Sequence, residues 1–349
     1  MKFLKTLFLT ALVVLTACGG GKAKQTNESE TIDRVPAADR VVVAYVFRNA
    51  PELPDPNLMT HINYAFGHVN ETFDGVRINN EEHLRKLVGL KAQNPDLKIL
   101  ISIGGWGSGR FSEMAMDPAL RQKFIADCQR VYTEFGLDGI DFDWEYPTSD
   151  MAGISAHPDD TDNFTLLMKE LREAFGQGPL LTLATAANGE YFDFKGIEPY
   201  VDFVNVMSYD MGFAPQHHSS LYRSAISGGI TGDEAMKAHE AAGMPKHKLV
   251  MGMPFYGRVA DGFPRMHWSK YDSLPDTYTI HWDEVAMVPY VTDAEGTLVS
   301  GYETPRSLAI KCDYLLEQGY KGAMYWEYYG DNEQGDMRRT VYNGVFEKN

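Results

Sequence analysis

The sequence predicts an α/β fold, a (β/α)8 TIM barrel. Three observations lead there. Eight short apolar runs rich in β-branched and aromatic residues recur between positions 41 and 327. Stretches of helical period lie between many of them. No glycine-rich phosphate loop follows the first run, which weakens the alternative of a doubly wound open sheet. The length of 349 residues suits one such unit with extensions.

The eight runs, in order, are VVVAYVF (41–47), INYAFG (62–67), KILISIGG (98–105), GIDFDWE (139–145), LLTLATAA (180–187), VDFVNVMSYD (201–210), LVMGMPFYG (249–257) and GAMYWE (322–327). Several are apolar at nearly every position, as expected of parallel strands covered on both faces. Four stretches between them carry helix grammar. EEHLRKLVGLKAQ (81–93) opens on acids and is followed by Pro95. The stretch 117–136 begins with Asp117 and Pro118, a cap and first-turn pair, and stops at Gly136. The stretches 159–176 and 304–319 follow the same rules. The crossovers 48–60 and 188–200 are short and irregular, so reduced helices are expected there. The segment 258–303 is loop-like and aromatic, and reads as a reduced, strand-bearing insertion between the seventh and eighth strands.

The first residues stand apart from the fold. Lys2 and Lys5 precede an apolar run from Leu7 to Leu15, then LTAC and GGGK. That pattern is a secretory signal too short to be a membrane span, and its end resembles a bacterial lipoprotein box. The expectation is cleavage after residue 17, a lipid on Cys18, and a flexible polar tether over 18–39 leading to a barrel over 40–349. The location so implied is the bacterial cell envelope, lipid-anchored at the outer membrane or cell surface. Cys128 and Cys312 fall in separate predicted helices and are expected to be unpaired. The formal charge is -16, with no basic patch, which argues against a nucleic-acid partner.

The chemistry is concentrated in DGIDFDWEYP (138–147). Period-two spacing places Asp141, Asp143 and Glu145 on one face of the fourth strand, with Glu145 at the C-terminal rim where barrels build their active sites. Carboxylates this close cannot all stay ionised, so at least one pKa should rise, as a general acid near neutral pH requires. Asp138 is read as structural, and Ser102, Gly104 and Gly105 as serving backbone packing. A divalent-metal site is the weaker reading, because such ligands come from turns or several strands; no metal or cofactor is expected. His217 and His218 sit in a polar loop and are expected to be solvated.

DGIDFDWEYP resembles the signature of glycoside hydrolase family 18, the chitinases and their relatives. ISIGGW (101–106), MSYD (207–210), GMPFYGR (252–258) and GAMYWE (322–327) resemble the family's third, sixth, seventh and eighth strand motifs, in the right order. Tyr45 and Phe66 stand where the family has aromatics on strands one and two. The resemblance implies cleavage of β-1,4 bonds in N-acetylglucosamine-containing glycans with retention of configuration. Glu145 would be the acid. The substrate's own acetamido oxygen would attack, with Asp143 orienting that group and Asp141 sharing its proton when turned inward. Tyr209 would hydrogen-bond the acetamido oxygen, with Met207 and Asp210 lining that pocket. Trp326 would floor the cleavage subsite, Trp106 would stack on a sugar of the leaving side, and Tyr256 and Arg258 would make polar contacts to neighbouring sugars. The expected partner is an N-acetylglucosamine-containing oligo- or polysaccharide, met by a monomer with a groove made shallow by the reduced insertion. The rivals are an endo-β-N-acetylglucosaminidase of N-glycans and a non-catalytic glycan-binding lectin.

Overall fold

The computed structural model describes residues 35–347 except 48, 50 and 51. The expected signal peptide, Cys18 and most of the expected tether lie outside the described residues. Of residues 35–39, expected as tether, 36–39 are exposed and Ala37–Asp39 form one 3-10 turn. Val35 is buried, and the Arg40 guanidinium donates to the carbonyls of Val35 and Val345.

Eight parallel strands close into a barrel: β1 (Val41–Phe47), β2 (His61–Val69), β4 (Lys98–Gly104), β5 (Gly139–Asp143), β6 (Leu180–Ala186), β7 (Phe203–Met207), β8 (Leu249–Pro254) and β13 (Gly322–Trp326). Pairing of β1 with both β13 and β2 closes the ring. β3 (Val76–Ile78) adds antiparallel to β2 at the rim.

Helices follow most strands. α1 (Glu81–Gly89) precedes β4 and is capped by the Asn80 side chain. α3 (Pro118–Phe135) is capped by Asp117, which accepts from Ala119 and Leu120 N–H, and ends on Gly136 at φ 67°. α4 (Asp160–Phe175) lacks a side-chain cap from Asp159, because its first turn is organised instead by buried Asp160. α7 (Pro305–Gln318) carries a capping box between Thr304 and Ser307. The crossover before β7 holds only α5 (Phe194–Ile197) and one 3-10 turn, and the described part of the crossover before β2 holds no helix. Three further helices, not singled out in the sequence, are α2 (Phe111–Met116), α6 (Gly232–Ala242), which carries a Thr231–Glu234 capping box, and α8 (Asp336–Phe346).

Alternation along β5 sorts its side chains. Ile140 and Phe142 join the large apolar layer between sheet and helices, so Asp141 and Asp143 turn into the barrel. The barrel interior itself packs Val41, Val43, Phe203, Val250 and Met324. Cys128 and Cys312 are both buried, and neither forms a disulfide among the described residues.

The 258–303 segment forms its own four-stranded antiparallel sheet: β9 (Arg258–Val259), β10 (Thr279–Asp283), β11 (Val288–Thr292) and β12 (Leu298–Gly301). Phe263, Tyr271, Val291, Val299 and Tyr302 are its small core.

Candidate active site

A cleft of about 1190 Å³ opens at the C-terminal ends of the barrel strands. Its wall includes Asp143, Glu145, Tyr209, Asp210, Tyr45, Phe66, Trp106, Met207, Tyr256, Arg258 and Trp326. These are all but one of the sequence-predicted catalytic and sugar-binding residues, brought together from β1, β2, β5, β7, β9 and β13 and the loops that follow the strands.

The exception is Asp141, which lies beneath the cleft floor, fully buried. Its Oδ2 accepts from Tyr45 Oη at 2.8 Å and Ser102 Oγ at 2.7 Å. Its Oδ1 accepts from Thr182 Oγ1 at 2.5 Å and Asn205 Nδ2 at 3.3 Å. Both oxygens are thus committed to neighbours other than Asp143, so the expected proton sharing with Asp143 is not the arrangement seen among the described residues. Burial raises the Asp141 pKa to about 6, with the four hydrogen bonds pulling against it. Ser102 is accordingly more than a packing residue, and Tyr45 spends its hydroxyl on Asp141 while its ring borders Trp326 at 5.8 Å.

Asp143 is buried, and its Oδ1 has no hydrogen-bond partner among the described residues. Burial, then the charges of Glu145 and Asp141, push its pKa well above the carboxylate range. Glu145 lies just past the end of β5. Its pKa is raised to about 7, mainly by burial and further by Asp210, with a hydrogen bond from Tyr146 opposing. A carboxyl poised near 7 can give a proton and take it back at neutral pH.

Two local features hold this strand end. Gly104, at φ 134°, lets β4 pass so close to Asp143 that a Cβ there would stand 2.0 Å from the Asp143 carbonyl oxygen. Trp144 turns outward and stacks on Phe111 at 5.2 Å and 13°, fixing the backbone between Asp143 and Glu145. Beyond it, Asp160 accepts from Ser112 Oγ at 2.7 Å and His157 N–H at 2.7 Å, which ties down the loop that follows.

Phe66 and Trp326 stack at 5.4 Å and 16°, an aromatic platform in the cleft. The peptide bonds Ala65–Phe66, Glu145–Tyr146 and Trp326–Glu327 are cis. Trp106 is 62% exposed, a free indole face at the cleft's edge. Tyr209 packs edge-on to Tyr256 at 6.1 Å. Arg258 is paired within the cleft wall: its guanidinium forks onto both Asp210 oxygens through Nε, to Oδ1 at 2.6 Å, and Nη2. Burial pushes Asp210 up, but hydrogen bonds and charge from His218 and Arg258 outweigh it and hold the carboxyl below its usual range.

The expectation of solvated histidines fails. His217 and His218 are each 1% exposed. Each faces a carboxylate, His217 Nε2 to Asp283 Oδ2 at 3.1 Å and His218 Nδ1 to Asp210 Oδ1 at 3.5 Å. The insertion sheet covers the loop that looked polar, and the HH pair alone gave no sign of it. Tyr146 and Tyr191, stacked at 4.8 Å and 10°, also line the cleft. Tyr146 lay in plain view beside Glu145; Tyr191 had no signal, being brought in from the fifth crossover. Asp138 is structural as expected, its Oδ2 accepting from Ile99 N–H at 2.8 Å and Lys91 Nζ at 2.7 Å. Among the described residues no group of three His, Cys, Asp or Glu side chains is arranged to hold a metal ion.

Known proteins share this architecture. Chitinase A1 of Niallia circulans is 32% identical over 340 residues, covering 83% of this chain and 47% of its own length. Chitinase C of Streptomyces lividans is 30% identical over 352 residues, covering 84% and 56%. The chain thus spans about half the length of the curated relatives it matches. A glycoside hydrolase family 18 N-acetylglucosaminidase from Paenibacillus barengoltzii superposes with a TM-score of 0.79 at 35% identity, covering 87% of this chain and 99% of that one. Residues 40–331 match the family model described as glycosyl hydrolases family 18, and with carboxylates, platform and barrel arranged as above, the chain belongs to that family.

Proposed function

We propose that this chain hydrolyses β-1,4 bonds of chitin or chito-oligosaccharides with retention, using the substrate's acetamido group as nucleophile. The observation that carries the reading is the pairing of Glu145, its pKa raised to about 7, with a buried Asp143 whose Oδ1 has no partner among the described residues, in one cleft with the Phe66–Trp326 platform. The chitinases and the N-acetylglucosaminidase it is similar to support the same substrate class.

In the first step Glu145 gives its proton to the glycosidic oxygen. The bond from that oxygen to carbon 1 breaks as the acetamido oxygen bonds carbon 1. Asp143 Oδ1 accepts from the acetamido N–H, which orients the group and stabilises the positive charge that spreads onto it. Tyr209 donates its hydroxyl to the acetamido oxygen side. In the second step Glu145, now a carboxylate, takes a proton from water. That water attacks carbon 1 and expels the acetamido oxygen, so two inversions give net retention. Trp326 and Phe66 present flat faces to the apolar C–H side of the ring. Asp141 acts from below, holding Tyr45 in place with its accepted hydrogen bonds and adding charge that raises Asp143.

The test is product analysis on chito-oligosaccharides beside a high-mannose glycopeptide, with the first-formed anomer read by NMR. β-Anomeric N-acetylglucosamine products from the former support the reading. Cleavage of the glycopeptide alone favours an endo-β-N-acetylglucosaminidase, and binding without reducing ends from either leaves a lectin. The size of the product, one sugar or two, reports how many subsites lie beyond the platform.

We also propose that Cys18 carries a lipid that anchors the barrel to an envelope membrane. The support is the LTAC sequence after an apolar run. Mass spectrometry of the N-terminal peptide tests it: an unmodified residue 18 behind an intact or differently cut leader overturns it.

A further inference from the structure

A second cavity, of about 370 Å³, lies behind the seventh-strand motif. It is walled by Phe255–Val259, by the 265–271 segment of the insertion, by Tyr302 and Glu303 before α7, and by Gly330 and Met337 near α8. None of its residues is a member of the catalytic carboxylate set. Tyr256 and Arg258 alone line both cavities.

Three of its wall residues carry buried polar atoms with no hydrogen-bond partner among the described residues: Glu303 Oε2, Trp268 Nε1 and His267 Nε2. Glu303 is 1% exposed. Its Oε1 is held by Lys311 Nζ, so the carboxylate is fixed and its second oxygen is left to accept. His267 Nδ1 accepts from the Ser269 backbone N–H at 3.4 Å, which leaves Nε2 as the ring's donor. Trp268 Nε1 is a donor only. Three such atoms left without partners disfavour the empty cavity, and an occupant with matching groups removes that cost. The rest of the wall sets the faces of Tyr271 and Tyr302, stacked at 4.0 Å and 7°, beside Arg265, Met266 and Met337.

One acceptor, two N–H donors and flat aromatic faces within a volume that fits one ring describe a receptor for adjacent hydroxyl groups on an apolar frame. We propose that this cavity is a second carbohydrate site, separate from the catalytic cleft, that takes a single neutral pyranose ring. Lys311 already neutralises Glu303, so a cationic ligand has no unmatched charge to seek. The proposal rests on the glycan reading only for the choice of probe, N-acetylglucosamine. Occupancy places a ring against the far side of Tyr256 and Arg258, whose near side holds Asp210.

The experiment is calorimetric titration of full-length Glu145→Gln protein with N-acetylglucosamine and with glucose, in the presence of saturating chito-oligosaccharide to fill the catalytic cleft. One further saturable site is expected. Trp268→Phe, which keeps the ring and removes the N–H, should weaken that site roughly 3- to 10-fold while leaving oligosaccharide affinity unchanged; Trp268→Ala should abolish it. A melting curve for each variant verifies folding. No saturable binding beyond the cleft, or binding indifferent to both substitutions, overturns the proposal and means that solvent alone meets these atoms. Oligosaccharide hydrolysis by Trp268→Phe, followed separately, reports on the catalytic reading, so either conclusion can fail without the other.

Discussion

Glu145 has two opposed influences around it, and each makes a separate prediction. Burial and the Asp210 charge raise its pKa to about 7, while the Tyr146 hydroxyl lowers it. On the proposed mechanism Glu145 acts in its protonated form, so kcat/KM on chito-oligosaccharides should fall as pH rises through about 7. Asp210→Asn removes a negative charge and frees Arg258, and both changes favour ionised Glu145. The alkaline limb should therefore move to lower pH. Tyr146→Phe should move it the other way. A pH–rate profile for each variant checks this, and a limb unmoved in both would detach Glu145 from that role. Glu145→Gln itself should lower kcat by roughly 10²–10⁴-fold with oligosaccharide binding largely retained, because the proton is given in the transition state.

At the scale of the element, β5 works only because of what lies beside it. Its acids point inward because its apolar residues point outward, and its C-terminal end is held by Gly104 on one flank and Trp144 on the other. A Cβ at Gly104 would lie 2.0 Å from the Asp143 carbonyl, at a φ that side chains rarely adopt. Gly104→Ala should cost roughly 3 kcal/mol of stability and, in the fraction that folds, lower kcat by displacing Asp143. Thermal denaturation and single-turnover rates measure the two effects; wild-type values in both would mean that β4 and β5 can separate at no cost. The insertion strands tell a related story at the other rim. β10 carries Asp283 to His217, and so the insertion closes over a loop that the sequence presents as polar.

For the whole molecule, the site is a stability liability. Glu145 titrates near 7 folded against an ordinary 4.5. Above pH 7 the fold must bury a charge that the unfolded chain exposes freely, a cost on the order of 3 kcal/mol. The cost shrinks as pH falls below 7 and is gone below 4.5. Glu145→Gln should thus raise Tm at pH 8 and leave it unchanged at pH 4, as differential scanning calorimetry would show. A gain equal at both pH values would mean that packing, not charge, is responsible.

The order of strands and helices was legible in the sequence because burial on both faces and helical period are local properties. The acids of β5 were legible for the same reason: period two on a buried strand leaves them no face but the barrel's interior. Contacts between distant segments were not legible. Asp141 is turned from Asp143 by Tyr45, Ser102 and Thr182, which come from three other strands. Arg258 is committed to Asp210, His217 and His218 are buried under the insertion, and Tyr191 reaches the cleft from a crossover with no motif. Each depends on which segments barrel closure brings together, and hydrogen bonds between residues 39 to 96 positions apart leave no periodic trace in the chain. The sequence by itself determined the barrel and the identity of its acids; the tertiary structure decided which of them face the cleft, what shifts their protons, and where a second polar cavity lies behind them.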